Sequence, residues 1–329
     1  MYKVILRVIL FVIVLAESAY TVQAQNGDQI LDGIGETGMI ARYVFSGDTK
    51  DWSRNNLHGK FQGAEVKFVD DKRFGKVLSL SGGSNDFVAI PGEALTDLES
   101  LSISGWIYLR SDQRGQYFFD FGQDATKHFF AAPVGTKSQE GYQTFIKTGD
   151  KESRAACSAI EADKWVHLAV VIDIPSKSLI TYVNSKPVGE AKNISVELAA
   201  LFASQSGEKN RLYIGKSLLP EDPSLNAMIH DFRIYRVPLT GKQVAGIYYN
   251  ALKGGQENAV NVGKPEENLQ QFSQTEAQLY NAYLVKVSDV EVETAIGDLP
   301  RLPSHLPGTY RDGVDGPKVR VLWPAPTDN

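Results

Sequence analysis

Trp165-Val166-His167-Leu168-Ala169-Val170-Val171-Ile172-Asp173, with Leu179-Ile180-Thr181-Tyr182-Val183-Asn184 a short break later, is the stretch that decides the fold. Apolar residues occupy both parities from Val166 to Ile172. A strand with that pattern is covered on both faces, as in the centre of a sheet. The same kind of run recurs outward in both directions, from Met39 to about Tyr235, broken by Gly, Asn, Asp and Ser. The remaining runs predict strands over Ile40–Phe45, Val77–Leu80, Phe87–Ile90, Ser102–Tyr108, Tyr117–Phe121, His128–Ala132, Gln143–Lys147, Leu212–Gly215 and Met228–Tyr235. Short strands in such number, with no helical periods between them, predict an all-β sandwich or barrel.

One helix follows. Thr240 can cap it, Gln243 can close a capping box, and Leu239 and Val244 hold the positions of a hydrophobic staple. Val244, Ile247 and Tyr248 share a face, so the helix is expected to seal one edge of the sandwich. Residues 251–284 turn polar and read as a linker, with some helix around Thr275–Leu284. A second module, 285–329, carries Val290 and Val292 among acidic residues and then Val319, Val321 and Trp323. So short a module buries little core of its own: either something else completes it, or, the favoured reading, the chain is the front part of a longer protein.

The 329 residues include 43% apolar and 22% charged, with a net charge of −5. Lys and Arg never form a run of five or more, so nucleic acid or another polyanion is not an expected partner. At the N-terminus, Lys3 and Arg7 precede the apolar stretch Val8–Ala16, and Val22-Gln23-Ala24 offers a cleavage site. Residues 1–24 therefore read as a signal peptide cleaved near Ala24–Gln25, leaving 25–37 as an N-terminal segment of a secreted chain. No later stretch is expected to span a membrane. Cys157, the single cysteine, allows no intrachain disulfide and reads as a buried structural thiol.

The motifs along 38–250 resemble a known family. Met39-Ile40-Ala41-Arg42-Tyr43-Val44-Phe45, followed by Asp51-Trp52-Ser53-Arg54-Asn55-Asn56-Leu57-His58-Gly59, resembles the opening of laminin-G-like (concanavalin-A-like) domains. Phe74–Leu78, Phe87–Pro91, Leu101–Ile107, Trp165–Ala169, Thr181–Lys186 and Asp231–Tyr235 with Pro238-Leu239-Thr240 match the later strands in order. Arg54, Ser185 and His230 stand where the family usually carries Gly, Asn-Gly and Asp. The resemblance implies an antiparallel two-sheet jelly roll. The tail, through Leu299–Pro303, Tyr310–Gly313 and Val319–Pro324, looks like the first half of an atrophied bacterial immunoglobulin-like module. Together they are similar to the N-terminal region of secreted bacterial β-L-arabinofuranosidase-like glycoside hydrolases.

The resemblance also implies site residues. Such domains often hold one structural Ca²⁺, which takes about six to eight hard oxygens. Asp51, Asn55 and Asp231 are the positions that match, and the alternative is that Asp51 and Asn55 only stabilise a turn. Some sandwiches of this shape are glycanases with acids in a Glu-x-Asp-x-x-Glu pattern, two of them about 5.5 Å apart. No such pattern occurs in 38–250, and Asp289, Glu291 and Glu293 lie outside the sandwich and read as a solvated strand face. Gly33-Ile34-Gly35-Glu36-Thr37-Gly38 satisfies G-x-G-x-x-G but lacks the strand before it and the helix after it. His167 with Asp173 is no hydrolase triad, because no Ser sits on a G-x-S-x-G elbow. Asn193-Ile194-Ser195 is a sequon that matters only in a eukaryote. For glycan binding, Trp52, Tyr117, His128 and Tyr142 lie near strand ends and are the candidate ligand-contacting residues.

The expectation is a non-catalytic secreted accessory region of a bacterial carbohydrate-active protein. Its expected partners are a plant-type polysaccharide or oligosaccharide and a catalytic domain in cis. Two alternatives stand beside it: the N-terminal fragment of a glycoside hydrolase, and a cell-surface adhesion domain.

Overall fold

Fifteen strands, every pairing antiparallel, lie between Met39 and Tyr235 in the computed structural model. It describes residues 38–254 apart from 54, 64–66, 84, 85, 97 and 203–208, together with 284–291, 305–311, 319 and 320. The leader, the segment to residue 37, most of the linker, Val292, Glu293, Val321 and Trp323 lie outside the described residues. The strands are β1 (Met39–Tyr43), β2 (Lys60–Gln62), β3 (Phe68–Asp71), β4 (Gly75–Ser81), β5 (Phe87–Ile90), β6 (Ser100–Leu109), β7 (Phe119–Asp124) and β8 (Lys127–Ala132). They continue as β9 (Gln143–Thr148), β10 (Lys151–Ala156), β11 (Trp165–Asp173), β12 (Ser178–Val183), β13 (Lys186–Lys192), β14 (Arg211–Ile214) and β15 (Asn226–Tyr235). One turn of helix, α1 (Leu198–Leu201), and the longer α2 (Gly241–Gly254) complete the domain. No helix among the described residues is long and apolar enough to cross a membrane.

The strands form two sheets. One holds eight strands, in the order β13-β12-β11-β6-β15-β4-β3, with β1 also on β15; the other holds seven, in the order β10-β9-β8-β7-β14-β5-β2. The architecture is the expected jelly-roll sandwich. Leu101, Ile103 and Ile107 of β6 and Val166, Leu168, Val170 and Ile172 of β11 share one core with Phe119, Phe121, Phe129, Leu212 and Ile214 of the facing sheet. Gly105 is needed at the middle of β6, since a Cβ there would stand 3.0 Å from the Phe118 ring and 3.3 Å from the Phe232 Cα. All four strands missing from the sequence reading are edges: β2 and β10 bound one sheet, β3 and β13 the other.

The second parity of β11 also finds its cover. Ala169 and Val171 join Tyr182, Tyr235, Val237, Leu239, Val244 and Ile247 in a separate cluster beneath α2. The helix begins as its sequence requires. The Thr240 N–H donates to Gln243 Oε1 at 2.8 Å, and the Gln243 N–H donates to Thr240 Oγ1 at 3.2 Å. That reciprocal pair is the capping box, and the staple residues Leu239 and Val244 are both buried. The helix therefore lies across the outer face of the eight-stranded sheet rather than at its edge.

The tail forms two small pairings, β16 (Leu284–Val287) with β18 (Gly308–Tyr310) and β17 (His305–Leu306) with β19 (Val319–Arg320). Strand β16 precedes the expected Val290 alternation, and Leu284 opens a strand instead of closing a helix. Asp289 and Glu291 are exposed, as a solvated face requires.

Strand β15 carries a bulge between His230 and Arg233, where Asp231 takes φ +50°. An Asp tolerates this left-handed conformation better than most residues. Its carboxylate accepts from Arg42 Nε at 2.7 Å and from Arg233 Nη2 at 2.6 Å, locking β1 to the bulge. Burial alone would raise the Asp231 carboxyl, but the Arg233 and Arg42 guanidiniums hold it well below the usual carboxylate range. A group depressed in this way stabilises the fold above its unfolded titration range and loses that contribution as pH falls. Removing one partner leaves buried charge uncompensated. Asp231→Asn is expected to cost about 3–5 kcal/mol in urea unfolding at pH 7. Its deficit relative to the native chain should shrink as the pH is lowered into the acid range.

Candidate functional site

The three residues matched to a calcium site lie around β1 without sharing an opening. Asp51 Oδ1 accepts from the Arg42 N–H at 2.9 Å and the Ser53 N–H at 2.8 Å. Asp51 Oδ2 accepts from Ser53 Oγ at 2.7 Å and the Leu57 N–H at 2.9 Å. Asn55 turns its amide nitrogen onto the Met39 and Ile40 carbonyls, at 3.1 and 2.9 Å. Asp231 already faces two guanidiniums. Calcium needs unshared oxygen lone pairs converging on one point. These residues do not fit it, and Asp51 and Asn55 follow the turn-stabilising alternative. Among the described residues no group of three or more His, Cys, Asp or Glu is placed to hold a metal ion.

The four sequence-picked ligand residues also separate. Trp52 is 51% exposed and stands in the Asp51 turn, whereas Tyr117, His128 and Tyr142 are all buried. Tyr142 belongs to the core between the sheets. Tyr117 and His128 do meet, on the outer face of the seven-stranded sheet. The Phe130 ring lies 4.8 Å from Tyr117 and 5.2 Å from His128, and Phe145 closes the group. His128 Nδ1 stands 3.2 Å from Asp120 Oδ1, and Asp120 also accepts the Leu218 N–H at 2.8 Å. Burial raises the Asp120 carboxyl, with the His128 hydrogen bond opposing. With rings packed edge to face and no open surface, the three buried residues are no platform for a sugar; strand-end position alone does not reveal that. Cys157 departs from its reading too. It is half-buried beside a groove of about 390 Å³ lined in part by Ile160, Lys164, Val166 and Val188, and burial raises its thiol.

The half-exposed aromatic surface lies on the other sheet. His167 of β11, Trp106 of β6 and His230 of β15 are direct neighbours across three strands. The turn between β3 and β4 folds over them. Asp71 Oδ1 accepts the Arg73 and Phe74 N–H groups at 2.8 and 3.0 Å, which fixes the turn. Asp71 Oδ2 accepts Trp165 Nε1 at 3.1 Å, which pins the turn to β11. Phe74 is thereby set 4.4 Å from His230 in a stack, 5.2 Å from Trp106 and 5.0 Å edge-on to Trp165. Tyr108 meets Trp165 at 5.8 Å, and Tyr248 of α2 stacks on Trp106 at 5.4 Å. Arg73 lays its guanidinium carbon 4.8 Å over Trp106 and 5.1 Å over Phe74. Arg73, Phe74, Tyr108, Trp165, His230 and Tyr248 are all half-buried, so part of each stays open to solvent.

Beneath them lie polar atoms without partners. Trp106 Nε1, both ring nitrogens of His167, His230 Nδ1 and Ser104 Oγ make no hydrogen bond among the described residues. Trp106 and His167 are each only 1% exposed. An unmade hydrogen bond of this kind costs about 1–3 kcal/mol. Burial, with Arg233 adding to it, draws the His167 imidazole down to about 3, so the ring is neutral at ordinary pH. Burial likewise lowers His230 and Arg73. Sequence reasoning passed over Arg73, Phe74 and Tyr248 because they come from a turn and a helix that only the fold brings onto the sheet.

Comparison with known proteins bears on the sandwich. Residues 82–245 match the family described as the concanavalin A-like lectin/glucanases superfamily, Laminin_G_3. The chain is similar in structure to domain 4 of AbnA, a GH43 extracellular arabinanase from Geobacillus stearothermophilus, in complex with arabinotriose. That match has 20% identity and a TM-score of 0.55 over 64% of this chain and 98% of that one. It is similar also to the binding domain of botulinum neurotoxin serotype D/C, with 18% identity and a TM-score of 0.51 over 66% of this chain and 53% of that one. No curated protein matches the chain. At these identities the structural likenesses establish the fold.

Two measurements check this geometry. Melting with and without EDTA should give the same midpoint, because Asp51 and Asp231 are committed to amides and guanidiniums; a drop of several degrees would restore the calcium reading. His167 is neutral in the fold well below the pH at which it protonates when unfolded, so stability should fall as pH drops from about 6.5 towards 3. His167→Gln should flatten that slope by up to about 1.4 kcal/mol per pH unit in urea titrations.

Proposed function

We propose that this concanavalin A-like jelly roll is a non-catalytic, secreted carbohydrate-binding domain whose ligand rests on the aromatic surface around Phe74, Trp165 and Tyr108. The observation that carries the reading is the half-exposed cluster itself, built from three strands and a turn that Asp71 holds in place. Sugar rings bind by stacking their apolar C–H faces on aromatic side chains, with a few fixed polar groups setting orientation. Trp165, Phe74 and Tyr108 supply rings, and Arg73 and His230 supply polar groups at their rim. Such rigid aromatic surface costs little ordering on binding, since Asp71 and the sheet already fix it.

A non-catalytic role is supported by what the buried carboxylates do. A glycosidase needs one carboxyl as acid and a second across the scissile bond. Asp120, the carboxyl that burial raises, faces His128 and the Leu218 amide rather than another acid. Asp51 and Asp231 are engaged by amides and guanidiniums. The arabinotriose-bound domain 4 of an arabinanase gives a precedent for this fold as an accessory part of a carbohydrate-active enzyme.

Immobilised plant polysaccharides in a pull-down, followed by calorimetry with the retained class, test the reading. Trp165→Ala and Phe74→Ala should each weaken binding by about tenfold or more, with the melting temperature recorded alongside. Trp52→Ala should leave it unchanged. Retention insensitive to Trp165 and Phe74, or lost with Trp52, would move the ligand away from this surface.

A further inference from the structure

The aromatic surface carries one cation. Arg73 contributes a guanidinium that makes no hydrogen bond among the described residues and is held only by two ring faces. Trp106 Nε1 and His230 Nδ1, also without partners, are buried beneath it. Of the nearby carboxylates Asp70 stays exposed, and the others are engaged by the chain. Asp71 is taken up by the Arg73 and Phe74 amides and by Trp165. Asp231 is enclosed by Arg42 and Arg233, and Asp70 pairs with Lys76.

A neutral sugar offers only hydroxyls, whereas a charged sugar ring can pair with a cation. The guanidinium of Arg73, half-buried on the rings and without a hydrogen bond among the described residues, suits a sugar ring that carries a carboxylate. We infer that the surface around Arg73 selects a sugar ring bearing a carboxylate, a uronic acid, with Arg73 as the specificity-determining residue. The inference rests on the carbohydrate-binding reading above and narrows it. The ring stacks on Trp165 and Phe74, and the carboxylate takes the planar fork of the guanidinium, the geometry in which Arg–carboxylate pairs are strongest.

The chain's net charge of −5 does not oppose this. Long-range attraction of a polyanion depends on the whole field, whereas one carboxylate against one guanidinium is a contact of a few ångströms. Arg73 lies on aromatic faces that shield it from water, which strengthens such a contact.

Calorimetry of the whole chain with galacturonic-acid oligosaccharides and with the same oligosaccharides methyl-esterified tests the inference, because esterification removes the charge and leaves the ring. The acid form is expected to bind about tenfold tighter or more, with the difference shrinking at high salt. Arg73→Gln should erase the difference between acid and ester, and Arg73→Lys should restore only part of it. Trp165→Ala should weaken both forms together. Equal binding of acid and ester, or tighter binding of neutral arabino-oligosaccharides, overturns the uronic-acid preference and leaves the carbohydrate reading standing. Failure of every one of these saccharides to bind overturns both. A preference for acid that survives in Arg73→Gln overturns the role of Arg73.

Discussion

Covering the outer face of the eight-stranded sheet is the constraint to which the rest of the molecule answers. In an antiparallel sandwich the outer face ordinarily meets water. Here Trp106, Ala169, Val171, Tyr182 and Tyr235 lie on that face and are buried. Two pieces of chain do the burying. The helix α2 brings Val244 and Ile247 over Ala169 and Val171, and the β3–β4 turn brings Phe74 and Arg73 over Trp106. The two covers also take water from Trp106 Nε1 and His167 without returning a hydrogen bond. At about 1–3 kcal/mol for each lost bond, this is a substantial penalty in a domain whose net stability is of order 5–15 kcal/mol. It falls beside a group of large aromatic rings that are only half-buried.

Buried charge is handled differently at each position, and the differences decide what chemistry is open. Asp51 spends its oxygens on three amides and a hydroxyl of its own turn. Asp120 shares its carboxyl with His128 and an amide of the loop after β14. Asp231 stands between two guanidiniums at a bulge, and the pair Arg42–Asp231 ties the first strand to the last. These three carboxylates are satisfied by the chain, so neither a cation nor a second acid is required beside them. Arg73 is the contrasting case, a cation laid over two rings with no hydrogen bond among the described residues, although Asp71 lies near enough to favour its charge.

The centre of the sandwich was legible in the sequence and its edges were not, for one physical reason. Trp165–Asp173 and Phe87–Ile90 match their strands residue for residue, and the other central strands match within a few positions. Central strands are buried on at least one face, which writes apolar periodicity into them. Strands β2, β3, β10 and β13 have a free side, and edges are kept short and charged to discourage pairing with other chains. Lys151-Glu152-Ser153-Arg154 in β10 is such a sequence, and it reads as a loop. The cap of α2 was legible as well, because a capping box is local. The site was not. Its rings come from β6, β11, the β3–β4 turn and α2, separated by up to 174 positions between Phe74 and Tyr248.

Aromatic content alone does not separate the two outer faces, since both carry rings in contact. What separates them is how completely the rings are used. Around Tyr117 and His128, the rings pack against Phe130 and Phe145, and the polar atoms of His128 and Asp120 close on each other. That group is a small core. Around Phe74 the rings keep a face towards solvent and the polar atoms point to no partner. Asp71 makes the difference. By accepting two amides of its own turn and the Trp165 indole, it holds Phe74 and Arg73 over the sheet. A carboxylate four strands away from β11 in the sheet order thus governs whether the rings of β11 and β6 form a surface or a core.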